Sequence, residues 1–414
     1  MSRKALFGPD ALSETHIMKS LKRPIICILM AAVMLFSLCA CGGGSNANDV
    51  PVNNSSQEDH TPAFVKSMEL LYATGFSVDY YEDGYKLVTV KDGPDIYLVI
   101  PQGADSKTTD RLVKSLGKKV IKLYQPLTNI YLAATATMCL FDKIGALDNV
   151  TMSSLKVEDW YIQGAIDAMK DGKMVYAGKY SAPDFELILS KGCKLALESM
   201  MIYHTPEIKE KLETLGIPVF VEKSTYESHP LGLTEWIKLY AALLNMEDKA
   251  EAAFDEQVGY LKEAEGKDPT GKTVAFFYIN SSGNAVARKS GDYVCGMIEL
   301  AGGKYIFDDL GRDSDNNLST VNLDMETFYA TAKDADFIFY NSTIMGEISS
   351  ADNLKSLSPL MKDFKAVKEN NVWCTGENLY QETTDLGQMI LEFNKILSGE
   401  YADASEFKYM KKID

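Results

Sequence analysis

The chain has 414 residues, 46% of them hydrophobic, and a formal net charge of −16. That is enough apolar material for a sizeable core shared between two lobes or domains. The acidic balance excludes a nucleic-acid binder, which needs a basic patch, and reads first as solubility.

Lys19, Lys22 and Arg23 precede an apolar run from Pro24 to Leu38. The run is too short and too early for a membrane span and fits the hydrophobic region of a signal peptide. It ends in Leu38-Cys39-Ala40-Cys41, followed by Gly42-Gly43-Gly44-Ser45. This resembles a bacterial lipobox, with residues 1–40 removed and the Cys41 thiol diacylated. Cys39 fits less well, because the Leu38 before it is bulky. Two acyl chains give a stable membrane anchor. Met18 is an alternative start, since Asp10 and Glu14 ahead of a basic region are unusual in a signal. Loss of residues 1–40 removes five Lys/Arg and two Asp/Glu, leaving −19. Residues 41–60 are small and polar, a flexible tether.

Residues 61–118 are expected to form a short amphipathic helix over 61–74 and then a β meander. Alternation runs through Ser77–Tyr80, Tyr85–Val90 and Ile96–Ile100, with Asp83-Gly84 and Asp92-Gly93-Pro94 between them. Asp-Gly between alternating runs is a hairpin signal. Beyond 118 the texture is α/β. Apolar runs at Val120–Leu123, Leu195–Leu197, Pro218–Val221, Val274–Ile279, Phe337–Tyr340 and Asn371–Cys374 read as strands buried on both faces. Thr205-Pro206-Glu207 opens a helix that stops at Gly216, so residues 194–221 form a β-α-β unit with a parallel pair. A charged helix over 248–266 carries Ala250, Ala253, Phe254, Val258 and Leu261 on one side. It reads as a connector between a lobe over 119–247 and a second over 267–414. Cys139, Cys193, Cys295 and Cys374 are far apart, with no CxxC, and read as core thiols.

The halves echo each other. Glu186 near a helix start precedes the strand at 195–197, and Glu326 precedes the strand at 337–340. In open α/β sheets strand ends face the ligand crevice, and two facing lobes make a cleft. Four segments carry a family resemblance: Tyr176-Ala177-Gly178-Lys179-Tyr180-Ser181-Ala182-Pro183-Asp184-Phe185-Glu186, Glu210–Val219, Glu235-Trp236-Ile237-Lys238-Leu239-Tyr240 and Met297–Gly303. In order and spacing they resemble the class III solute-binding proteins that serve iron-siderophore, haem and corrinoid importers. The resemblance spans roughly residues 119–398 and leaves the meander uncovered. It implies an α/β fold of two lobes, each a mostly parallel sheet flanked by helices, joined by a long interlobe helix. It further implies a monomer outside the cytoplasm that docks on an ABC-type permease and its ATPase through one exposed acid on each lobe. Glu186 and Glu326 match those positions. Glu326 sits about two residues further from its strand.

Strand-end reasoning selects the ligand-binding candidates: Tyr180, Ser181, Glu198, Ser199, Met200, Tyr203, His204, Tyr226, Glu227 and His229 in the first lobe, and Asn280, Ser281, Arg288, Lys289, Asn341, Tyr380 and Gln381 in the second. Aromatics suit a flat, greasy ligand, and Arg288 and Lys289 suit a carboxylate or an anionic ferric chelate. His204 and His229 with Glu leave open a bare Zn or Mn ion, or contact with the iron or cobalt of a chelate. No resident cofactor is expected; iron or cobalt would belong to the ligand. A secreted hydrolase is the remaining alternative, but no G-x-S-x-G, H-E-x-x-H, Walker or G-x-G-x-x-G motif is present and no catalytic residue is assigned.

Overall fold

Strand alternation, buried helices and one long connector build this chain in three connected parts. The computed structural model describes residues 60–312 and 319–413. The expected signal peptide, Cys41 and the expected tether up to residue 59 lie outside the described residues.

The first part is a five-stranded sheet, β1 (Phe64–Ser67), β2 (Phe76–Tyr81), β3 (Lys86–Val90), β4 (Ile96–Ile100) and β5 (Ile121–Tyr124), in that order. Its first four strands are antiparallel and β5 runs parallel to β4. The meander lies where alternation put it: Val78 pairs with Val88, and both are buried. Two expectations are corrected. The run at 120–123 is an edge strand of this sheet and not part of the first lobe. The helix over 61–74 does not form; β1 and an irregular segment replace it. The reason is long-range. The amides of Leu71, Tyr72 and Ala73 donate to the Glu235 carboxylate, and those of Thr74 and Gly75 to Glu227. Two charged acceptors hold these amides in place of helix carbonyls.

In the first lobe, β6 (Ile130–Leu132), β7 (Val150–Ser153) and β8 (Val175–Tyr176) are followed by a hairpin of β9 (Gly178–Lys179) and β10 (Ala182–Pro183). Then come β11 (Leu195–Ser199) and β12 (Val219–Glu222). The sheet order is β12-β11-β6-β7-β8, all parallel. β11, the helix Pro206–Thr214 and β12 form the expected β-α-β unit. Pro206 opens that helix, and Gly216 turns the chain at φ +79°.

In the second lobe, β13 (Thr273–Ile279), β14 (Ala285–Arg288), β15 (Lys304–Tyr305), β16 (Thr320–Leu323), β17 (Phe337–Tyr340), β18 (Val372–Thr375) and β19 (Met410–Lys412) form one sheet. Its order is β16-β14-β13-β17-β18-β19, with β15 also beside β13. β13, β17 and β18 are parallel; β14, β16 and β19 are antiparallel additions.

Two helices tie the parts together. Pro230–Leu244 is buried at every residue but the last. Asn245 in a left-handed conformation ends it, and the connector Glu247–Glu265 follows at once. Ala250, Phe254, Val258 and Leu261 are buried along the predicted stripe. They join one core cluster that also contains Phe76, Trp236, Phe276 and Met389, so a single core reaches from the N-terminal sheet into the second lobe.

Candidate functional site

The sheet ends of both lobes open into a cavity of 590 Å³. One wall is the turn after β12, with Thr225, Tyr226 and Glu227; the opposite wall is the strand end and turn Arg288–Tyr293, with Tyr380. The second-lobe wall arises because β14 stops at Arg288, Gly291 turns the chain at φ +92°, and Asp292 caps the helix Tyr293–Leu300 by accepting from Val294 N at 3.0 Å.

Arg288 is the most constrained charge here. Its Nη1 meets Asp292 Oδ2 at 3.4 Å and donates to Ser319 Oγ at 3.2 Å. Its Nε is buried with no hydrogen-bond partner among the described residues. Burial is the largest influence and opposes the charge on Arg288, but Asp292 together with Tyr293, Cys295 and Tyr305 outweighs it and the pKa is raised. Burial also pushes the Asp292 carboxyl up, with Arg288 pulling it back. The arrangement offers a ligand a fixed guanidinium in a cavity also lined by Tyr226, Tyr293 and Tyr380.

Close to Tyr380 the lobes are bridged. Tyr161 Oη donates to Glu377 Oε2 at 2.7 Å, Tyr161 N donates to Gln381 Oε1 at 2.9 Å, and Gln381 Nε2 donates to the Asp159 carbonyl at 3.0 Å. The bond to Glu377 leads in pushing the Tyr161 pKa up to about 12.

Of the sequence candidates, the cavity brings together Tyr226, Glu227, Arg288, Lys289 and Tyr380. Met200 lines a smaller adjoining cavity. Tyr180 and Ser181 form the turn between β9 and β10, and Tyr180 packs against the outer-face core of the first lobe. Ser199 caps the turn Met200–His204, on which Tyr203 and His204 are exposed. Four candidates have other work. Glu198 is fully buried and alternates, with Ala196, toward the outer face of its sheet, so it does not reach the cleft. Asn280 shapes the β13–β14 turn by accepting from Ser282 N and Asn284 N, and Ser281 is exposed within that turn. Asn341 is buried and caps a helix turn through Thr343. His229 caps the helix Pro230–Leu244, its Nδ1 accepting from Leu231 N at 3.1 Å, and its ring stacks on Tyr72 at 4.3 Å. Burial lowers the His229 pKa. Among the described residues no group of three or more His, Cys, Asp or Glu could hold a metal ion, so the bare-ion alternative gains nothing from the geometry. Ser290, Gly291 and Asp292 were missed as cleft residues. A Gly-Asp pair after a basic strand end is a turn and helix-cap signal that could have found them.

Glu186 and Glu326 occupy the same local position. Each is the second residue of a helix, Phe185–Ser190 and Met325–Ala332, and each is exposed. Asp184 and Asp324 cap the two helices by accepting backbone N–H groups.

A model of the periplasmic binding protein family matches residues 134–379, more than half of the chain. The uncharacterized lipoprotein MJ0878 of Methanocaldococcus jannaschii is 26% identical over 384 residues, which cover 86% of this chain and 87% of that protein. Two solved structures share the fold. The periplasmic haem-binding protein HutB of Vibrio cholerae superposes with a TM-score of 0.52 at 18% identity, covering 66% of this chain and 99% of HutB. A periplasmic binding protein from Veillonella parvula superposes with a TM-score of 0.53 at 16% identity, covering 66% and 91%.

Proposed function

We propose that this chain, which belongs to the periplasmic binding protein family, is a lipid-anchored receptor that captures a metal chelate and delivers it to an ABC-type permease with its ATPase. The chelate class is a ferric siderophore, haem or a corrinoid. The observation that carries the reading is the 590 Å³ cavity walled by both lobes, with tyrosines on each side and the fixed charge of Arg288 in its lining. A flat ligand stacks between Tyr226 and Tyr380, and its anionic groups meet Arg288 and Lys289. No bond is made or broken. The connector and the Tyr161 bridges keep lobe closure small. The loaded protein presents Glu186 and Glu326 to basic residues of the permease, and Cys41 holds it at the outer face of the membrane. HutB supports the ligand class as a haem binder of the same fold, and MJ0878 supports the anchor as a lipoprotein.

The test is a ligand screen on the chain from Gly42 onward, read by the fluorescence of Trp160, Trp236 and Trp373 and by thermal stability. The panel holds haem, cobalamin, ferric citrate, a ferric trihydroxamate, Zn and Mn. A ligand at a hundred times its Kd raises stability by about 2.7 kcal/mol. A chelate that binds tightly supports the reading. A response to Zn or Mn alone, or silence across the panel, sinks it.

A further inference from the structure

We infer that the N-terminal sheet supplies a side chamber of the ligand cleft, and that this chamber takes a carboxamide-bearing arm of the ligand. The inference rests on the reading of the cleft given above. The match to the family model begins at residue 134, so the N-terminal sheet lies outside it. Yet that sheet reaches the cleft. A cavity of 230 Å³ shares Tyr226 and Glu227 with the main one, and its remaining lining is Thr74, Gly75, Lys91, Asp92, Met200 and Lys223. Four of those six residues come from the N-terminal sheet and its turns.

The chamber wall is fixed by bonds that cross between the two parts. Lys223 Nζ donates to the Asp92 carbonyl at 2.8 Å and to the Lys91 carbonyl at 3.3 Å. Glu227 accepts from Thr74 N at 2.9 Å, from Gly75 N at 2.7 Å and from Trp236 Nε1 at 2.9 Å. Gly75 permits this approach, since a Cβ there would lie 2.8 Å from Glu227 Oε1. Lys223 and Glu227 are thereby fixed in position, and the chamber is preformed.

The Lys91 ammonium and the Asp92 carboxylate remain. Neither has a side-chain partner among the described residues, and they sit on consecutive positions of one turn that Asp92 holds at φ +54°. A carboxylate arm would be attracted by Lys91 and opposed by Asp92; a cationic arm would meet the reverse. A carboxamide accepts from Lys91 and donates to Asp92 and is opposed by neither. Met200 and the Tyr226 ring supply apolar contact for the methylenes that carry such an arm.

The experiment measures equilibrium binding of cobalamin, whose side arms end in carboxamides, and of haem, whose arms end in carboxylates. The proteins are the chain from Gly42 onward and its Lys91→Ala, Lys91→Glu, Asp92→Gly and Tyr226→Ala variants. Asp92→Gly suits the left-handed turn, and thermal midpoints check that each variant is folded. The expected result is that the parent prefers cobalamin, that each turn variant weakens cobalamin binding about tenfold, and that haem binding is unchanged. If Tyr226→Ala weakens cobalamin binding and the turn variants do not, the side chamber is refuted and the cleft stands. If the parent prefers haem, the carboxamide assignment is refuted. If the parent binds neither, the carboxamide assignment is refuted and the cleft reading is decided by the ferric chelates of the panel. If Tyr226→Ala changes nothing for a ligand the parent binds, the cleft reading falls and takes this inference with it.

Discussion

Glu198 gives the sharpest test of the energetics. Its side chain is 0% exposed, and neither carboxylate oxygen has a hydrogen-bond partner among the described residues. Burial alone raises its pKa from 4.5 to about 8. A group whose folded pKa is raised in this way stays protonated in the native state while the unfolded chain ionises. Its effect on stability is therefore nil well below pH 4.5. It grows more unfavourable as pH climbs from there to about 8, and then levels off. At about 1.4 kcal/mol per pH unit the full penalty is about 4 to 5 kcal/mol, with most of it present at neutral pH. Glu198→Gln keeps the shape and removes the proton. Urea unfolding at pH 5, 7 and 9 should show the variant close to the parent at pH 5. It should be more stable by a few kcal/mol at pH 7, and by most of the full penalty at pH 9. A stability difference that does not change with pH across that range would refute the reasoning, because it would mean that Glu198 is ionised and satisfied in the native state.

The other predictions concern contacts that join the parts. Glu235→Leu leaves the amides of Leu71, Tyr72 and Ala73 without their acceptor and Lys238 without its 3.2 Å partner. It should cost about 3 to 5 kcal/mol and open residues 68–75 to limited proteolysis; a protected loop would show that other acceptors replace the carboxylate. Tyr161→Phe removes the bond to Glu377. It should destabilise the protein by about 1 kcal/mol and broaden the interlobe distance distribution measured between spin labels; an unaltered distribution would assign lobe spacing to the connector alone. Charge reversal at both Glu186 and Glu326 should abolish uptake in cells while ligand affinity stays intact, and a parallel fall in affinity would show that the docking face is misplaced.

The fold was legible where local pattern and burial agree. Val78 and Val88 announce the meander, Thr205-Pro206-Glu207 announces a helix between two strands, and the stripe from Ala250 to Leu261 announces the connector. The segment at 71–75 was not legible, because Glu227 and Glu235, more than 150 residues further along the chain, decide its conformation. The antiparallel strands β14, β16 and β19 are only three or four residues long, too short to show a period, and β16 and β19 are edge strands of mixed polarity. At the site, strand-end reasoning finds Tyr226, Glu227, Arg288, Lys289 and Tyr380. It fails for Glu198, since a strand buried on both faces does not reveal which face a given residue takes. It fails for Asn280 and Asn341 because turn-forming and helix-capping side chains occupy the same strand ends as ligand contacts.

The connector leaves the lobes little freedom, and one glycine exposes this to test. Gly387 lies in the helix Leu386–Ser398 of the second lobe, against Gln257 of the connector. A Cβ at Gly387 would fall onto the Gln257 backbone, 2.9 Å from its carbonyl carbon and 3.0 Å from its Cα. The same contact is tied by side chains: Gln257 Oε1 accepts from Gln388 N at 3.1 Å, and Gln257 is almost fully buried. Because the obstacle is backbone, no rotamer change relieves it, and one helix must move. Gly387→Ala should therefore cost about 1 to 3 kcal/mol, the range for overpacking, although alanine suits an isolated helix better than glycine. Since the connector carries the first lobe through Pro230–Leu244, the displaced helix should also change the spacing of Tyr226 from Tyr380, and ligand affinity should fall in a variant that remains folded. A Gly387→Ala protein as stable as the parent would show that the two helices have room to separate. The lobes would then be joined more loosely than this packing implies.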